Sequence, residues 1–193
     1  MSGSARTYAT TVVGGIAAGG ITFFAASRTW ASVTVRTSGM PTDRVAVDGS
    51  QAVPMVSAMA LVVLAGSVAV LAGSPRVRIL VGAVVTAAAV TAVVYTLTAG
   101  SAIEDAVVGQ VGESPAMTGD HAAQVALATH ADPTMWRWVC LAAALGSVAA
   151  GVSVLLFGRR WPTMGRRYDS PARKREADPD PWKALDRGED PTV

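Results

Sequence analysis

Four long stretches of this 193-residue chain contain no charged side chain. They are residues 7–27, 49–75, 79–103 and 138–158. A bilayer core about 30 Å thick requires roughly 20 consecutive apolar residues in a helix. Because lipid offers the backbone no hydrogen-bonding partner, each stretch must pair its own N–H and C=O groups, as a helix does. The sequence therefore predicts four membrane-spanning helices, at about residues 8–27, 53–73, 79–100 and 137–158.

These helices predict the fold class, an all-α integral membrane protein. We expect a four-transmembrane-helix bundle over residues 1–158 and a flexible cytoplasmic C-terminal tail over residues 159–193. The two outer loops would cover residues 28–52 and 101–136. Apolar and polar residues alternate in the first loop on both sides of a turn at residues 38–41, which predicts a short extracellular β-hairpin.

The positions of the basic residues predict the orientation. Positive charge near membrane ends is retained in the cytoplasm. The two termini and the link between the second and third helices carry 12 of the 16 basic residues. We therefore expect a multi-pass protein of the plasma membrane with both termini cytoplasmic. A cleaved signal peptide is the alternative for the first stretch, but its apolar region would usually have only 7 to 15 residues.

Aromatic and small residues mark the boundaries and the packing of the predicted helices. Tryptophan concentrates where bilayer meets water, which predicts four membrane-interface anchors: Trp30, Trp136 and Trp138 outside and Trp161 inside. Small residues four apart let helices approach closely, which predicts helix-packing positions at Gly15, Gly19, Gly146 and Ala150. These positions pack the bundle internally or, as the alternative, form a homo-oligomeric contact.

The sequence offers little for catalysis, cofactor binding or metal binding. The one cysteine, Cys140, lies within the fourth apolar stretch, which excludes a disulfide framework. His121 and His130, nine residues apart on a predicted helix, would lie on different faces, so we expect no metal site. Apart from Arg137 at the outer boundary of the fourth helix, no ionisable Asp, Glu, Lys, Arg or His lies within a predicted span, which argues against a proton-coupled carrier. Net charge of +2 gives no reason to expect nucleic acid. We expect no enzyme and no cofactor.

The C-terminal tail contains the most distinctive pattern. Seven basic residues follow the last helix within residues 159–175 and would attract anionic lipid at the inner surface, or only fix the topology. Further on, residues 180–188 have the caps of a two-turn helix. Trp182 and Leu185 would share one face of it. A helix this short is marginal in water, so Trp182, Leu185, Asp186 and Arg187 are candidates for docking a cytoplasmic protein partner.

Two segments of the tail closely resemble a known family. WPTMGRRYD (residues 161–169) and DPWKALDRGEDPT (residues 180–192) are similar to the tail of the tryptophan-biosynthesis-associated (trp operon-associated) membrane proteins of high-GC Gram-positive bacteria. Residues 28–30, 52–66 and 136–138 also resemble that family. The resemblance implies four spans and genetic proximity to tryptophan biosynthesis, and it carries over no catalytic or ligand-binding residue.

These observations favour a non-enzymatic membrane protein, a scaffold or accessory protein linked to tryptophan biosynthesis, whose tail docks a partner. The alternative is a permease or transport accessory subunit for a small aromatic metabolite. It depends on the genetic association and on the hydroxyl groups of the third predicted helix.

Overall fold

The computed structural model describes residues 3–35, 42–113, 131–159 and 161. Its elements, in chain order, are α1 (Gly3–Ala26), β1 (Thr29–Val35), β2 (Asp43–Asp48), α2 (Gly49–Ala52), α3 (Pro54–Ala72), α4 (Pro75–Leu97), α5 (Ala99–Gly112), β3 (Asp132–Pro133) and α6 (Trp136–Phe157). The described residues are mostly helical. The predicted turn at residues 38–41 lies outside them, and so do the predicted helix that would contain His121 and His130 and the tail beyond residue 161.

Four helices are long and apolar enough to cross a membrane: α1, α3, α4 and α6. Pro54 and Pro75 each stand in the first turn of a helix, where the missing N–H removes no helical hydrogen bond. Helix α4 begins four residues before the predicted residue 79, because a charge-free criterion excludes Arg76 and Arg78 although both lie in its first turn.

The four long helices pack in a ring in which each contacts two neighbours. α1 contacts α3 and α6, and α4 contacts the same two helices from the other side. Their outward surfaces are apolar, with Val13, Leu61, Leu80 and Leu156 each more than half exposed. Water would make such a surface unfavourable, whereas the hydrocarbon of a bilayer is its natural solvent.

A small cap covers one end of the ring, and we define it as β1, β2, α2, α5 and β3. The sheet has the strand order β2-β1-β3, and both pairings are antiparallel. Ala31, Val33 and Val35 of β1 form one apolar cluster with Val107 and Val111 of α5. β1 and β2 pair at the residues where the sequence predicted a hairpin. The third strand has only two residues and was not predicted from the sequence.

At the end of the ring that the cap covers, hydrogen bonds join the start of α6 to the end of α4. Arg137 Nε donates to the Thr96 carbonyl at 3.1 Å, and its Nη2 donates to the Leu97 carbonyl at 2.9 Å. These carbonyls belong to the last turn of α4, where no helical N–H remains to bind them. A cation here also interacts favourably with the helix dipole. We call this the cap end of the bundle, and the opposite end, where Trp161 lies, the tail end.

Candidate functional site

Trp161 lies inside the tail end of the bundle. Only 4% of it is exposed, and it packs with Val12 of α1, Val70 of α3 and Val154 of α6. Its ring meets that of Tyr8 edge to face, with 5.3 Å between ring centroids. The sequence predicted an interface anchor, whereas the structure gives Trp161 protein neighbours on nearly all sides. Three helices therefore hold the residue with which the predicted tail motif begins.

Arg78 is buried beside this cluster, although the sequence suggested only a charge that sets orientation. Its exposure is 2%, and its Nε donates to the Val70 carbonyl at 3.1 Å. The guanidinium carbon lies 5.2 Å from the centre of the Tyr8 ring. Arg78 thus joins the C-terminal end of α3 to α1 by a charge-assisted hydrogen bond and a cation–π contact.

Trp30 holds the corresponding position at the cap end. It is 1% exposed, and its Nε1 donates to the Ala25 carbonyl at 3.0 Å. A Cβ at Gly49 would overlap its ring, so only glycine fits there without movement. This Trp also contacts protein where a lipid interface was expected. Of the other predicted anchors, Trp136 is partly buried against Phe24, and Trp138 is 64% exposed.

The predicted helix-packing residues face neighbouring helices of the same chain. A Cβ at Gly15 would meet Ser67 of α3 and Ala150 of α6, and one at Gly19 would meet Val63. Gly146 faces Ala18 of α1, with 3.5 Å between a built Cβ and the Ala18 Cβ. These contacts lie within the bundle, as the internal-packing interpretation requires.

A close contact between α4 and α6 that includes backbone atoms involves glycines that the sequence interpretation did not select. A Cβ at Gly151 of α6 would lie 2.5 Å from Thr86 Oγ1 and 3.0 Å from Thr86 N, both in α4. One at Gly82 would lie 2.9 Å from Val154. The signal was available, because Gly82 and Thr86 are small residues four apart, and so are Ser147 and Gly151.

Three hydroxyl groups of α4 and its C-cap residue bond to carbonyls of this helix. Thr86 donates to the Gly82 carbonyl, Thr96 to the Ala92 carbonyl and Thr98 to the Val94 carbonyl, at 2.7 to 3.0 Å. Such bonds satisfy a hydroxyl in an apolar environment without a ligand. A void between α1, α3, α4 and α6, lined by Ser67 and Gly151 among others, has about 10 Å³, the space of one water molecule.

A polar groove of about 370 Å³ opens at the cap end. The described residues that line it belong to β1, to β2, to the first residue of α6 and to the residues just before β1 and α6. They are Arg28, Thr29, Ser32, Arg44, Ala46, Thr134, Met135 and Trp136. They include two arginines and no carboxylate. Neither arginine was a site candidate from the sequence, because their convergence depends on how β2 pairs with β1.

The structure does not test the remaining residues that the sequence analysis considered. Trp182, Leu185, Asp186 and Arg187 lie outside the described residues, as do His121 and His130. Among residues 3–35, 42–113, 131–159 and 161, no group of three or more His, Cys, Asp or Glu side chains could hold a metal ion.

Comparisons with known proteins agree with the resemblance noted in the sequence. A search of curated proteins and a search of solved structures each find no match. One family model, described as that of the tryptophan-associated transmembrane protein, matches residues 12–192. The match begins within α1 and includes the other three apolar helices, the cap and the tail motif. The chain is therefore a multi-pass membrane protein that belongs to the tryptophan-associated transmembrane protein family.

Proposed function

We propose that this protein is a non-enzymatic membrane scaffold or accessory protein linked to tryptophan biosynthesis, whose cytoplasmic tail docks a protein partner. The observation that carries the proposal is the burial of Trp161 among α1, α3 and α6. A tail that leaves the bundle from a fixed residue keeps its docking motif within a limited distance of the membrane. From Trp161 to Trp182 the chain has 21 residues, about 70 Å at full extension.

The orientation in this proposal depends on charge. The tail has nine basic residues, and positive loops stay in the cytoplasm. The cap would then lie outside, and the motif of Trp182, Leu185, Asp186 and Arg187 would meet cytoplasmic proteins. Its short helix would gain order only on a partner, and apolar side chains at i and i+3 would supply the contact surface.

A transport function has less support. A carrier needs a polar path through the membrane. Three hydroxyl groups on α4 and its C-cap residue, which could line such a path, instead donate to carbonyls of this helix. Both ends of the ring hold a buried tryptophan, Trp30 at one and Trp161 at the other. We therefore prefer a role in which the bundle anchors and the tail binds.

The test compares matched tail variants of the full-length protein in native membranes. Proteins are crosslinked to the tail, captured and quantified by mass spectrometry for wild type, for Trp182→Ala/Leu185→Ala and for the control Lys183→Ala. We expect at least one cytoplasmic protein to be enriched with wild type and control and lost with the double variant. Equal recovery from all three would reject tail docking.

A second experiment in the same cells measures the orientation of the protein in the membrane. A cysteine introduced at residue 190 and another at residue 43, each in a Cys140→Ser background, are labelled with a membrane-impermeant maleimide. We expect labelling of residue 43 in intact cells and of residue 190 only after lysis. The reverse pattern would place the tail outside and refute docking of a cytoplasmic partner.

A further inference from the structure

We propose that the cap-end groove binds one phosphate-type anion, either the phosphodiester of an anionic lipid headgroup or a free phosphate. The groove brings Arg28 and Arg44 to a single cavity of about 370 Å³ whose described lining contains no acidic side chain. Two like charges beside one cavity repel each other, and an anion between them removes that cost. The guanidinium fork matches the geometry of phosphate oxygens.

Each arginine is held in a way that leaves hydrogen-bond donors for a ligand. The Arg28 guanidinium carbon lies 4.1 Å from the centre of the Phe24 ring and 5.8 Å from that of Trp136. Arg28 is exposed, so N–H groups that do not face these rings are accessible to a ligand. Arg44 Nη2 makes one long hydrogen bond, 3.5 Å, to Ser32 Oγ. The remaining N–H groups of both arginines can donate to an anion.

Ser32 supplies a third donor from the floor of the groove. It is 7% exposed, and its hydroxyl accepts from Arg44, so the hydroxyl proton can be donated. The two neighbouring threonines are already committed. Thr29 Oγ1 donates to the Asp48 carboxylate at 3.1 Å, and Thr134 Oγ1 donates to the Thr29 carbonyl. The nearest acid in the sheet register, Asp132, pairs with Ser32 in the exposed edge strand β3.

Helix α6 adds its positive end to the same place. It begins at Trp136, within the groove lining, and no side chain caps its first turn. The first N–H groups of a helix have no helical partner and attract anions. Trp138, 64% exposed two residues further on, is of the type that lies at the bilayer boundary. A lipid headgroup at that depth would therefore be within reach of the groove.

The experiment titrates the delipidated full-length protein in non-ionic detergent and counts bound molecules by native mass spectrometry. The probes are short-chain phosphatidylglycerol and inorganic phosphate, added separately. The test variant is Arg28→Gln/Arg44→Gln. The control, Arg6→Gln/Arg76→Gln, removes the same charge from exposed positions remote from the groove.

We expect one probe molecule to bind wild type and control with affinities within a factor of two. The groove variant should bind about tenfold more weakly or worse, because hydrogen bonds to charged groups are the strong ones. Tight binding of phosphatidylglycerol alone identifies a lipid headgroup as the source. Binding of inorganic phosphate with the same dependence on the two arginines identifies the free ion.

Two results would overturn the proposal. One is unchanged affinity of the groove variant for both probes. The other is equal weakening in groove variant and control, which would indicate diffuse attraction to positive charge. If the double variant fails to fold, the single variant Arg44→Glu provides the test. Arg44 is exposed and lies in the edge strand β2, so this substitution should not prevent folding. Retained binding in that variant would also reject the site.

Discussion

The closest approach of two membrane-spanning helices makes a quantitative prediction at Gly151. A Cβ added there would lie 3.0 Å from Thr86 N and 3.1 Å from Thr86 Cα, backbone atoms that no rotamer change can move. Ordinary contact begins at 3.4 Å, so α4 and α6 would have to separate by a few tenths of an ångström. Overpacking of this kind costs about 1–3 kcal/mol.

Gly146 provides the matched control on the same helix. A Cβ there meets only the Ala18 Cβ, at 3.5 Å, within ordinary contact. Alanine is a better helix former than glycine by about 1 kcal/mol, and both substitutions share that gain. We therefore expect Gly151→Ala to be less stable than Gly146→Ala by about 1–3 kcal/mol, which is the overpacking cost alone.

The measurement is reversible unfolding by SDS in mixed micelles, followed by circular dichroism. Thr86→Ala in the Gly151→Ala background removes the closest atom, Thr86 Oγ1 at 2.5 Å, but leaves the two backbone contacts. Rescue should therefore be partial. If Gly151→Ala proves as stable as Gly146→Ala, the helices are not in backbone contact at this position and the described packing of α4 on α6 is incorrect.

Three further predictions concern buried side chains. Trp161→Ala should destabilise the bundle by about 3–5 kcal/mol in the same unfolding assay, with the exposed Trp138→Ala as control; equal small effects would contradict a packed tail end. Trp30→Phe should cost about 0.5–1.5 kcal/mol by removing the indole hydrogen bond to the Ala25 carbonyl, which still accepts the Arg28 N–H, and a neutral result would mean that the indole bond does not form. Cys140, fully buried, should resist maleimide in native membranes and react after SDS treatment; rapid labelling before denaturation would refute its burial.

The membrane-spanning helices could be predicted because a bilayer imposes a single requirement. A stretch without charge, long enough to cross, must be helical whatever its neighbours are. The prediction needed no tertiary contact, which is why the four apolar helices follow the charge-free stretches so closely. Its error at α4 has the same origin, since Arg76 and Arg78 are helical but not apolar. Helix ends depend on capping and packing, and a criterion based only on the absence of charge takes neither into account.

The packing residues show where sequence pattern becomes ambiguous. Small residues four apart occur on several faces of these helices, and the pattern alone does not say which face meets which neighbour. Gly146 with Ala150 was selected in α6, yet Gly151 makes the closer contact. Likewise, the interfacial preference of tryptophan is a statistical tendency. Trp30 and Trp161 lie at the ends of the bundle but are covered by side chains of the same chain.

The groove could not be predicted from the sequence because it depends on how the strands pair. Arg28 and Arg44 are sixteen residues apart, and only the antiparallel register of β1 with β2, which pairs Ser32 with Ala46 and Thr34 with Arg44, brings them to one cavity. Thr134, Met135 and the first residue of α6, Trp136, complete the lining. None of these pairings has a local signature, because register depends on the whole hairpin and its packing on α5.

Arginines at the two ends of the bundle also differ in a way that charge counting cannot detect. Arg78 and Arg28 each count as one positive charge in the topology rule, but Arg78 is 2% exposed and bonded to α3, whereas Arg28 is exposed beside the rings of Phe24 and Trp136. Removing Arg78 from the count leaves 11 basic residues on the tail side against four, so the expected orientation does not depend on it. Its charge instead ties α3 to α1. What covers its guanidinium therefore decides what an arginine near a membrane boundary can contact: Arg78 is enclosed by protein, whereas Arg28 and Arg44 line one open cavity.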